Sequence, residues 1–272
     1  MPQMFIFGLG YTARFLASAL AAEGWTVAAT GSAGTLAFDD TDAVRHALRA
    51  STHVLSSVPP AAGGDPVLDL YGNALAGRWL GYLSSTGVYG DAGGAWVDEA
   101  SPVRPTARPA RGEADAAWLA LGARVFRLPG IYGPGRSAID RVRGGTAHRI
   151  AIEDQVFSRI HVEDIVGGIV GSLATGAPPG AYNLADDLPS SQNAVIEEAC
   201  RLLGTVPPPL QSMDEAGLGP MARSFYADNR RVANGRAKRM LGWRLRYPTY
   251  RDGLAAIMAR ARPAGAEAPS VP

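Results

Sequence analysis

The chain is expected to fold as an α/β protein: a doubly wound parallel sheet with a smaller C-terminal α/β lobe. Three observations carry this expectation. An apolar run, Met4–Phe7, leads through a glycine turn into a stretch with helical apolar spacing at Ala13, Leu16, Ala17 and Leu20. Short apolar runs then alternate with helical stretches, the pattern of a parallel sheet covered by helices on both faces. With 272 residues, 47% hydrophobic and 19% charged, the chain holds enough apolar material for one large domain, or for one plus a smaller lobe.

The elements follow in order. Met4–Phe7 is apolar throughout, as a strand buried on both faces must be. Thr12 to Ala22 is the first helix. Further strands are expected at Thr26–Thr30, at His53–Val58 (ended by Pro59-Pro60), at Trp79–Ser84 and at Arg124–Leu128. Helices are expected between them at Asp42–Ala50, near Pro66–Ala76 and at Arg111–Leu121. Only a few residues separate Thr30 from Asp39, whereas a crossover needs about a dozen. The second helix is therefore expected to be missing or reduced to one turn, which opens the adenine side of any dinucleotide pocket. Beyond Pro129 the pattern is mixed: Gly144-Gly145, strands at His148–Ile152 and Phe157–His161, a helix after Val162, Pro178-Pro179-Gly180, and a helix over Ser191–Leu203. Residues 1–130 thus read as a Rossmann-like domain and 131–262 as a smaller lobe with segments returning to it. Residues 263–272, rich in Ala and Pro, read as a frayed tail.

The first turn carries the clearest chemistry. Gly8-Leu-Gly10-Tyr-Thr-Ala13 sits between strand and helix, where glycines let backbone approach a pyrophosphate and the helix N-terminus faces its charge. Ala13 takes the third small position, where helix and strand pack closely. Gly8, Gly10, Tyr11, Thr12, Ala13 and Arg14 are therefore candidate cofactor-binding residues, with Ser57 near the end of the third strand. NAD binders place an acid about twenty residues past the glycines to hold the ribose 2′-hydroxyl. Here that place is Ala29-Thr30-Gly31-Ser32, which has hydroxyls and no carboxylate. Thr30 and Ser32 as donors, with charge from Arg14, favour NADP over NAD.

Composition excludes several classes. Net charge is +1, which favours neither nucleic acid nor a membrane surface as partner. The chain opens directly on a strand without a basic, apolar leader, and no apolar run is long enough to span a membrane, so a cytoplasmic protein is expected. The single cysteine, Cys200, excludes an internal disulfide and reads as core beside Val195, Ile196, Ala199 and Leu203. No His/Cys/Asp/Glu group has metal-ligand spacing. Lys238 is the only lysine among 26 Lys and Arg residues. Arg136, Arg141, Arg143 and Arg149 in the smaller lobe would suit an anionic small-molecule substrate, a nucleotide sugar or a carboxylate. A solvated arginine-rich face is the plainer reading.

Several further segments, in order, resemble the extended short-chain dehydrogenase/reductases. Leu83-Ser84-Ser85-Thr86-Gly87-Val88-Tyr89-Gly90 resembles their serine motif. Arg127-Leu-Pro129-Gly130-Ile-Tyr132-Gly133-Pro134-Gly135 resembles the segment that ends in YGPG. Arg159-Ile-His161-Val-Glu163-Asp164 resembles the HVDD helix start, Tyr182-Asn183-Leu184 the YN strand, and Asn234 to Trp243 the helix ending in LGW. Within the family, the chain is similar to the atypical, YeeZ-like bacterial branch. The resemblance implies an oxidoreductase or epimerase/dehydratase-like protein. It implies Ser85 at the catalytic hydroxyl, with Thr86 the near alternative, and Pro129 and Gly130 along the nicotinamide amide. Asp39-Asp40 resembles the acid that contacts adenine, or caps the following helix. His161 with Asp164 joins the two lobes.

One departure bears on chemistry. The family's Tyr-x-x-x-Lys pair, in which lysine lowers the tyrosine pKa for acid/base work, is absent from the sequence. With Asp115 aligned to the family's acidic helix position, Ala107 falls where tyrosine belongs and Arg111 where lysine belongs. Arg111 can hold a ribose hydroxyl or a phosphate, but it cannot be deprotonated. Tyr89, Tyr132 and Glu113 are the nearest stand-ins. Two readings stay open: an NAD(P)-dependent enzyme with a non-standard acid/base, and a non-catalytic NADP-binding sensor or regulator. A homodimer through helices of the dinucleotide domain is a third.

Overall fold

The structure, a computed structural model, describes residues 1–61, 63–104 and 109–261. Ala107 and the expected tail at 263–272 lie outside the described residues. In chain order the elements are β1 (Gln3–Phe7), α1 (Tyr11–Ala22), β2 (Thr26–Ala29), α2 (Thr41–Ala50), β3 (His53–Ser56), α3 (Pro66–Tyr71), β4 (Trp79–Ser85) and β5 (Trp96–Val97). They continue with α4 (Pro109–Ala120), β6 (Arg124–Leu128), β7 (Gly130–Tyr132), α5 (Ala138–Arg143), β8 (Arg149–Ile150), β9 (Arg159–His161), α6 (Val162–Ala174) and β10 (Gly180–Asn183). The last are α7 (Gln192–Leu203), β11 (Leu210–Gln211), α8 (Pro220–Ser224), β12 (Arg231–Val232), α9 (Gly235–Met240) and α10 (Tyr250–Ala261).

Six strands form the central sheet in the order β10-β6-β4-β3-β1-β2, every neighbouring pair parallel. All six carboxyl ends therefore lie on one edge. The chain moves from β1 to β2 on one side, then crosses to β3 on the other, so the order reverses beside β1. Ligands of doubly wound sheets bind at such a reversal.

Alternation along the strands divides the core into two layers. Met4 and Ile6 of β1 pack with Ala13, Leu16 and Leu20 of α1 and with Ile165 and Ile169 of α6. Phe5 and Phe7 point the other way, onto Val44 and Leu48 of α2, Val67 and Tyr71 of α3, and Trp118 of α4. Four of the five β1 residues, Met4 to Phe7, are fully buried, which is why this stretch reads as an unbroken apolar run. Complete burial of one such side chain is worth about 1.5–3 kcal/mol.

The connection from β2 to β3 keeps its crossover helix in α2, and only the stretch from Thr30 to Asp39 lacks a helix, as expected. No helix lies between β2 and α2; residues 31–34 turn instead, and Leu36 N–H donates back to the Ala29 carbonyl at 3.2 Å. Helix α2 then carries the chain over β1 to β3, and β2 is left as the sheet edge. Asp40 accepts from Ala43 N–H at 3.0 Å and caps α2. Asp65 caps α3 at the N–H groups of Val67 and Leu68, with Pro66 at the first helical position, where its missing N–H costs nothing. The stretch expected to be helical to Ala76 ends as α-helix at Tyr71 and tightens into a 3₁₀ turn over Gly72–Ala74.

In the second half the expected strands are shorter than their apolar runs. His148–Ile152 contracts to β8, paired with β11, and Phe157–His161 to β9, paired with β7. Phe157 instead exchanges two backbone hydrogen bonds with Ser190, and the Ser158 hydroxyl accepts from Val232 N–H, so neither continues β9. Cys200 is buried in a third cluster with Val195, Ile196 and Ala199. No helix among the described residues is long and apolar enough to cross a membrane.

Candidate functional site

The turn after β1 is braced from two neighbouring strands. Gly8 has φ +82°, the left-handed region that favours glycine. Its N–H donates to the Thr30 hydroxyl at 3.2 Å, and its carbonyl accepts from the Ser57 hydroxyl. A Cβ on Gly8 would stand 3.0 Å from Val58 Cγ2 and 3.1 Å from Ser57 Oγ. Leu9 N–H donates to the Thr30 carbonyl at 2.7 Å, and Gly31, with φ +108°, lets that approach occur, since a Cβ there would meet Leu9 N at 2.8 Å. Gly10 differs: its φ is −84°, it is exposed, and a Cβ on it would meet nothing within 4 Å. Gly8 is thus required by the protein itself, whereas the open space over Gly10 at the start of α1 fits a ligand backbone. The cradle suits a pyrophosphate.

The other candidates sort by what their polar groups already do. Thr30 is 1% exposed, and its hydroxyl is engaged with Gly8. Ser57 likewise holds the turn from behind. Thr12 and Ala13 are buried on the sheet side of α1. Ser32 is exposed beside Gly31, and Asp39 is exposed next to the capping Asp40. Arg14 is exposed on α1, one turn from Tyr11, and its charge acts on the Tyr11 hydroxyl. That hydroxyl donates to the Pro134 carbonyl at 3.0 Å, and the Arg136 guanidinium lies 5.6 Å from the Tyr11 ring. Tyr11 therefore ties the glycine turn to the 134–136 loop of the second half, and Arg14 shares its side of α1.

The sheet register brings the serine motif to the same edge. Phe7 pairs with Ser56, Ser56 with Tyr82, Ser84 with Arg127 and Ser85 with Leu128. Gly8, Ser57, Ser85 and Pro129 consequently share the carboxyl edge, with Ser85 two and Pro129 three positions further along their strands than Gly8 and Ser57. Ser85 is half-buried; its oxygen accepts from Gly87 N–H at 3.1 Å and caps a 3₁₀ turn over Thr86–Tyr89. Among the described residues its own proton meets no acceptor. Thr86 is 4% exposed. Gly130 is exposed and Pro129 half-buried next to it.

Behind Ser85 lies a buried polar network that the sequence does not announce. Arg127 and Asp115 form a two-point ion pair, Nη2 to Oδ1 at 2.7 Å and Nε to Oδ2 at 3.1 Å, both side chains almost fully buried. Ser84 donates to Asp115 at 2.6 Å, Arg127 donates to the Tyr89 hydroxyl at 3.0 Å, and Tyr89 donates to Asn183 Oδ1 at 2.8 Å. The network fastens α4, β4, β6 and β10 together. Burial pushes the Tyr89 hydroxyl up, and it is fully engaged, so Tyr89 is poorly suited to acid/base work. Burial likewise raises Tyr132, whose ring packs edge-on against His161. Glu113 is exposed on α4. Arg111, one turn before Asp115, is half-buried; its charge acts on Tyr82, and no hydrogen bond joins it to Ser85 or Thr86.

His161 and Asp164 are structural. His161 Nδ1 accepts from Glu163 N–H, its ring sits between Tyr132 and Tyr247, and burial pulls its pKa down to about 4. Asp164 accepts from the backbone N–H groups of Arg246 and Tyr247 at 2.6 and 3.2 Å, pinning the chain before α10. A cavity of about 430 Å³ lies beside Gly130, walled by β7, α5, α7 and α10, with Arg136 and Arg141 on its lining. Arg149 instead pairs with Glu197 outside it. No cluster of His, Cys, Asp and Glu among the described residues could hold a metal ion.

The sheet order, glycine turn and serine edge define an extended short-chain dehydrogenase/reductase-like protein. A solved protein of unknown function from Silicibacter pomeroyi is 44% identical, with TM-score 0.86 over 96% of this chain and 99% of that one. Protein YeeZ of Escherichia coli K12 is 29% identical over 91% of this chain and 97% of its own length. The NAD complex of dTDP-glucose 4,6-dehydratase from Bacillus anthracis shares the fold at TM-score 0.76 and 17% identity, over 95% of this chain and 96% of that one. No family model matches the chain. The chain belongs to the family of the Silicibacter protein, is similar to YeeZ, and shares the fold of the NAD-dependent epimerases and dehydratases.

Proposed function

We propose that the chain binds a nicotinamide dinucleotide along the carboxyl edge of its sheet and acts as an NAD(P)-dependent oxidoreductase or epimerase-like enzyme. The observation that carries this reading is the Gly8–Gly10 turn, whose second glycine is open to a ligand while its first is locked by Thr30 and Ser57. Gly10 and the first N–H groups of α1 would take the pyrophosphate, and Tyr11, Thr12 and Ala13 shape that helix start. Pro129 and Gly130 would border the nicotinamide, which supplies or accepts a hydride when bound. Ser85, with a free proton, would donate to a substrate oxygen as charge develops on it. Thr86, less exposed, supports it.

NADP is the proposed form. Ser32 is the exposed hydroxyl past β2, and no carboxylate stands there to repel a 2′-phosphate. Thr30 acts indirectly through Gly8, and Asp39 is the free acid on the adenine side. Arg111 and Arg14 would add fixed positive charge. Calorimetric titration with NADPH and NADH tests the reading, and Ser32→Asp should move preference toward NADH. Failure of wild type to bind either cofactor at millimolar concentration would refute it.

A second reading has its own support. The sequence lacks a Tyr-x-x-x-Lys pair, and α4 presents Asp115 to a fixed ion pair. A dinucleotide-binding sensor needs no proton relay, and absence of turnover despite tight NADPH binding would favour it.

A further inference from the structure

The turn at 133–136 carries one wall of the cavity beside Gly130, and Tyr11 of α1 holds it. The turn closes on itself. Gly133 N–H donates to the Arg136 carbonyl at 3.2 Å, and Arg136 N–H donates back to the Gly133 carbonyl at 3.0 Å. It leads at once into Ser137, which caps α5 in a reciprocal pair with Asp140. Arg136, Ser137, Ala138, Asp140 and Arg141 of this unit all line the cavity. Whatever moves the turn therefore moves that wall.

Tyr11 reaches the turn from the glycine side. Its hydroxyl donates to the Pro134 carbonyl at 3.0 Å, and the Arg136 guanidinium lies 5.6 Å from its ring centroid. Phe15, one helical turn further on, backs the ring at 5.3 Å. The approach is close enough to dictate a neighbour. A Cβ on Gly133 would stand 2.6 Å from the Tyr11 hydroxyl oxygen and 2.7 Å from Val162 Cγ1 of α6. Gly133 has no positive φ, so this packing, and not backbone conformation, is what asks for glycine there. Burial raises the pKa of the Tyr11 hydroxyl, so it keeps its proton and donates at neutral pH.

The other end of Tyr11 belongs to the dinucleotide turn. It is the first residue of α1, directly after Gly10, and no side chain caps the helix there. The N–H groups of Tyr11, Thr12 and Ala13 are the ones that a pyrophosphate over Gly10 would take. One residue thus has its backbone in the proposed phosphate site and its side chain on the cavity wall. A phosphate that fixes the helix start fixes the Cα from which this side chain leaves, and with it the reach of the hydroxyl to Pro134.

We propose that Tyr11 is a positioning residue that couples the two sites: a dinucleotide seated on the Gly8–Gly10 turn orders the 133–143 wall through the Tyr11 side chain, and so readies the cavity for a second ligand. The inference concerns regulation of the enzyme proposed above and rests on its cofactor reading. Coupling of this kind is reciprocal in binding free energy, so a ligand that holds the wall also tightens the cofactor.

Amide hydrogen exchange on the full chain, with and without saturating NADPH or NADH, tests this beside calorimetric titration of the same cofactors. In wild type the bound cofactor should slow exchange over 133–143 by about fivefold or more, the lower end of typical coupling. Tyr11→Phe keeps the ring and removes only the hydroxyl. It should melt near wild type, bind the cofactor at most about fivefold more weakly, and keep the cofactor-induced slowing over 8–14. Its slowing over 133–143 should fall below about twofold, because the link to the wall is gone. A hydroxyl with a merely structural role would speed exchange over 133–143 by the same factor with and without cofactor, leaving the ratio intact. The proposal is overturned if the cofactor binds wild type without slowing 133–143, or if Tyr11→Phe keeps the wild-type ratio. A wild type that binds neither NADPH nor NADH in the titration refutes the cofactor reading and the coupling with it; binding without slowing refutes the coupling alone.

Discussion

Gly10→Val separates ligand binding from folding, because the two glycines of the turn differ in what they are for. At Gly10 the backbone is in a region open to any residue, and a Cβ meets nothing within 4 Å. The protein should therefore lose only the difference in N-cap preference at the start of α1, of the order of 1 kcal/mol. For a domain of this size, that lowers the melting temperature by about 2–4 °C. A bound pyrophosphate would have to approach the N–H groups that the new methyls cover. Losing two charge-assisted hydrogen bonds at about 1.5–3 kcal/mol each weakens binding by roughly 10² to 10⁴-fold. Gly8→Val is the control. There φ is +82° and the Cβ would stand 3.0 Å from Val58 Cγ2, so the cost falls on folding itself. Calorimetric titration of NADPH and NADH, beside thermal melts of both variants, makes the comparison. A Gly10→Val protein that melts near wild type and binds either cofactor with wild-type affinity would show that the phosphates do not pass over this turn.

Three other perturbations follow from the same geometry. Asp115→Ala leaves Arg127 buried without its carboxylate, which typically costs about 3–5 kcal/mol, so the melting temperature should fall by about 10 °C. An unchanged melt would show that the network is not a fastening. Burial holds the Asp186 carboxyl near 7, above its unfolded value, so the folded state binds a proton that the unfolded chain releases between about pH 4 and 7. Its contribution is present below pH 4 and is lost as pH rises through 7; in melts across this range, Asp186→Asn should remove that decline, and parallel curves would contradict the assignment. Ser85→Ala removes a cap worth about 1 kcal/mol and should leave NADPH affinity intact while lowering any turnover by about 10²-fold or more. A rate unaffected by this change would place the reacting oxygen elsewhere.

The parts of this fold that rest on local pattern were legible in the sequence. β1, its turn and α1 follow from four apolar residues, two glycines and helical spacing, all within twenty positions. The helix-free stretch from Thr30 to Asp39 was legible from chain length alone. What the sequence could not show is direction and partnership. Thr30 and Ser57 read as hydroxyls offered to a ligand, yet both are turned back onto Gly8, because a left-handed turn leaves its N–H and carbonyl in need of partners. Asp39-Asp40 read equally as adenine contact or cap, and only the hydrogen bond to Ala43 assigns the cap to Asp40. The tie between Tyr11 and Pro134 carried no signal at all, since it joins residues far apart in the chain.

Asp115 shows why the chemistry is harder to read than the fold. It was placed in the sequence by analogy, as an acidic position on a helix, and the structure gives it a task that closes off one mechanism. Its carboxylate is shared between Ser84 and Arg127, and Arg127 passes on to Tyr89 and Asn183. Polar groups so saturated hold α4 against the sheet; they do not exchange protons with a substrate. Ser85 stands apart from this network by one residue, half-buried, with an acceptor role toward Gly87 and a proton left over. A lone hydroxyl can polarise an oxygen as charge develops, but among the described residues no hydrogen-bonded base or cation adjoins it to relay a proton. On the proposed reading the protein would contribute orientation and one hydrogen bond, and the proton would come from solvent or from the substrate itself.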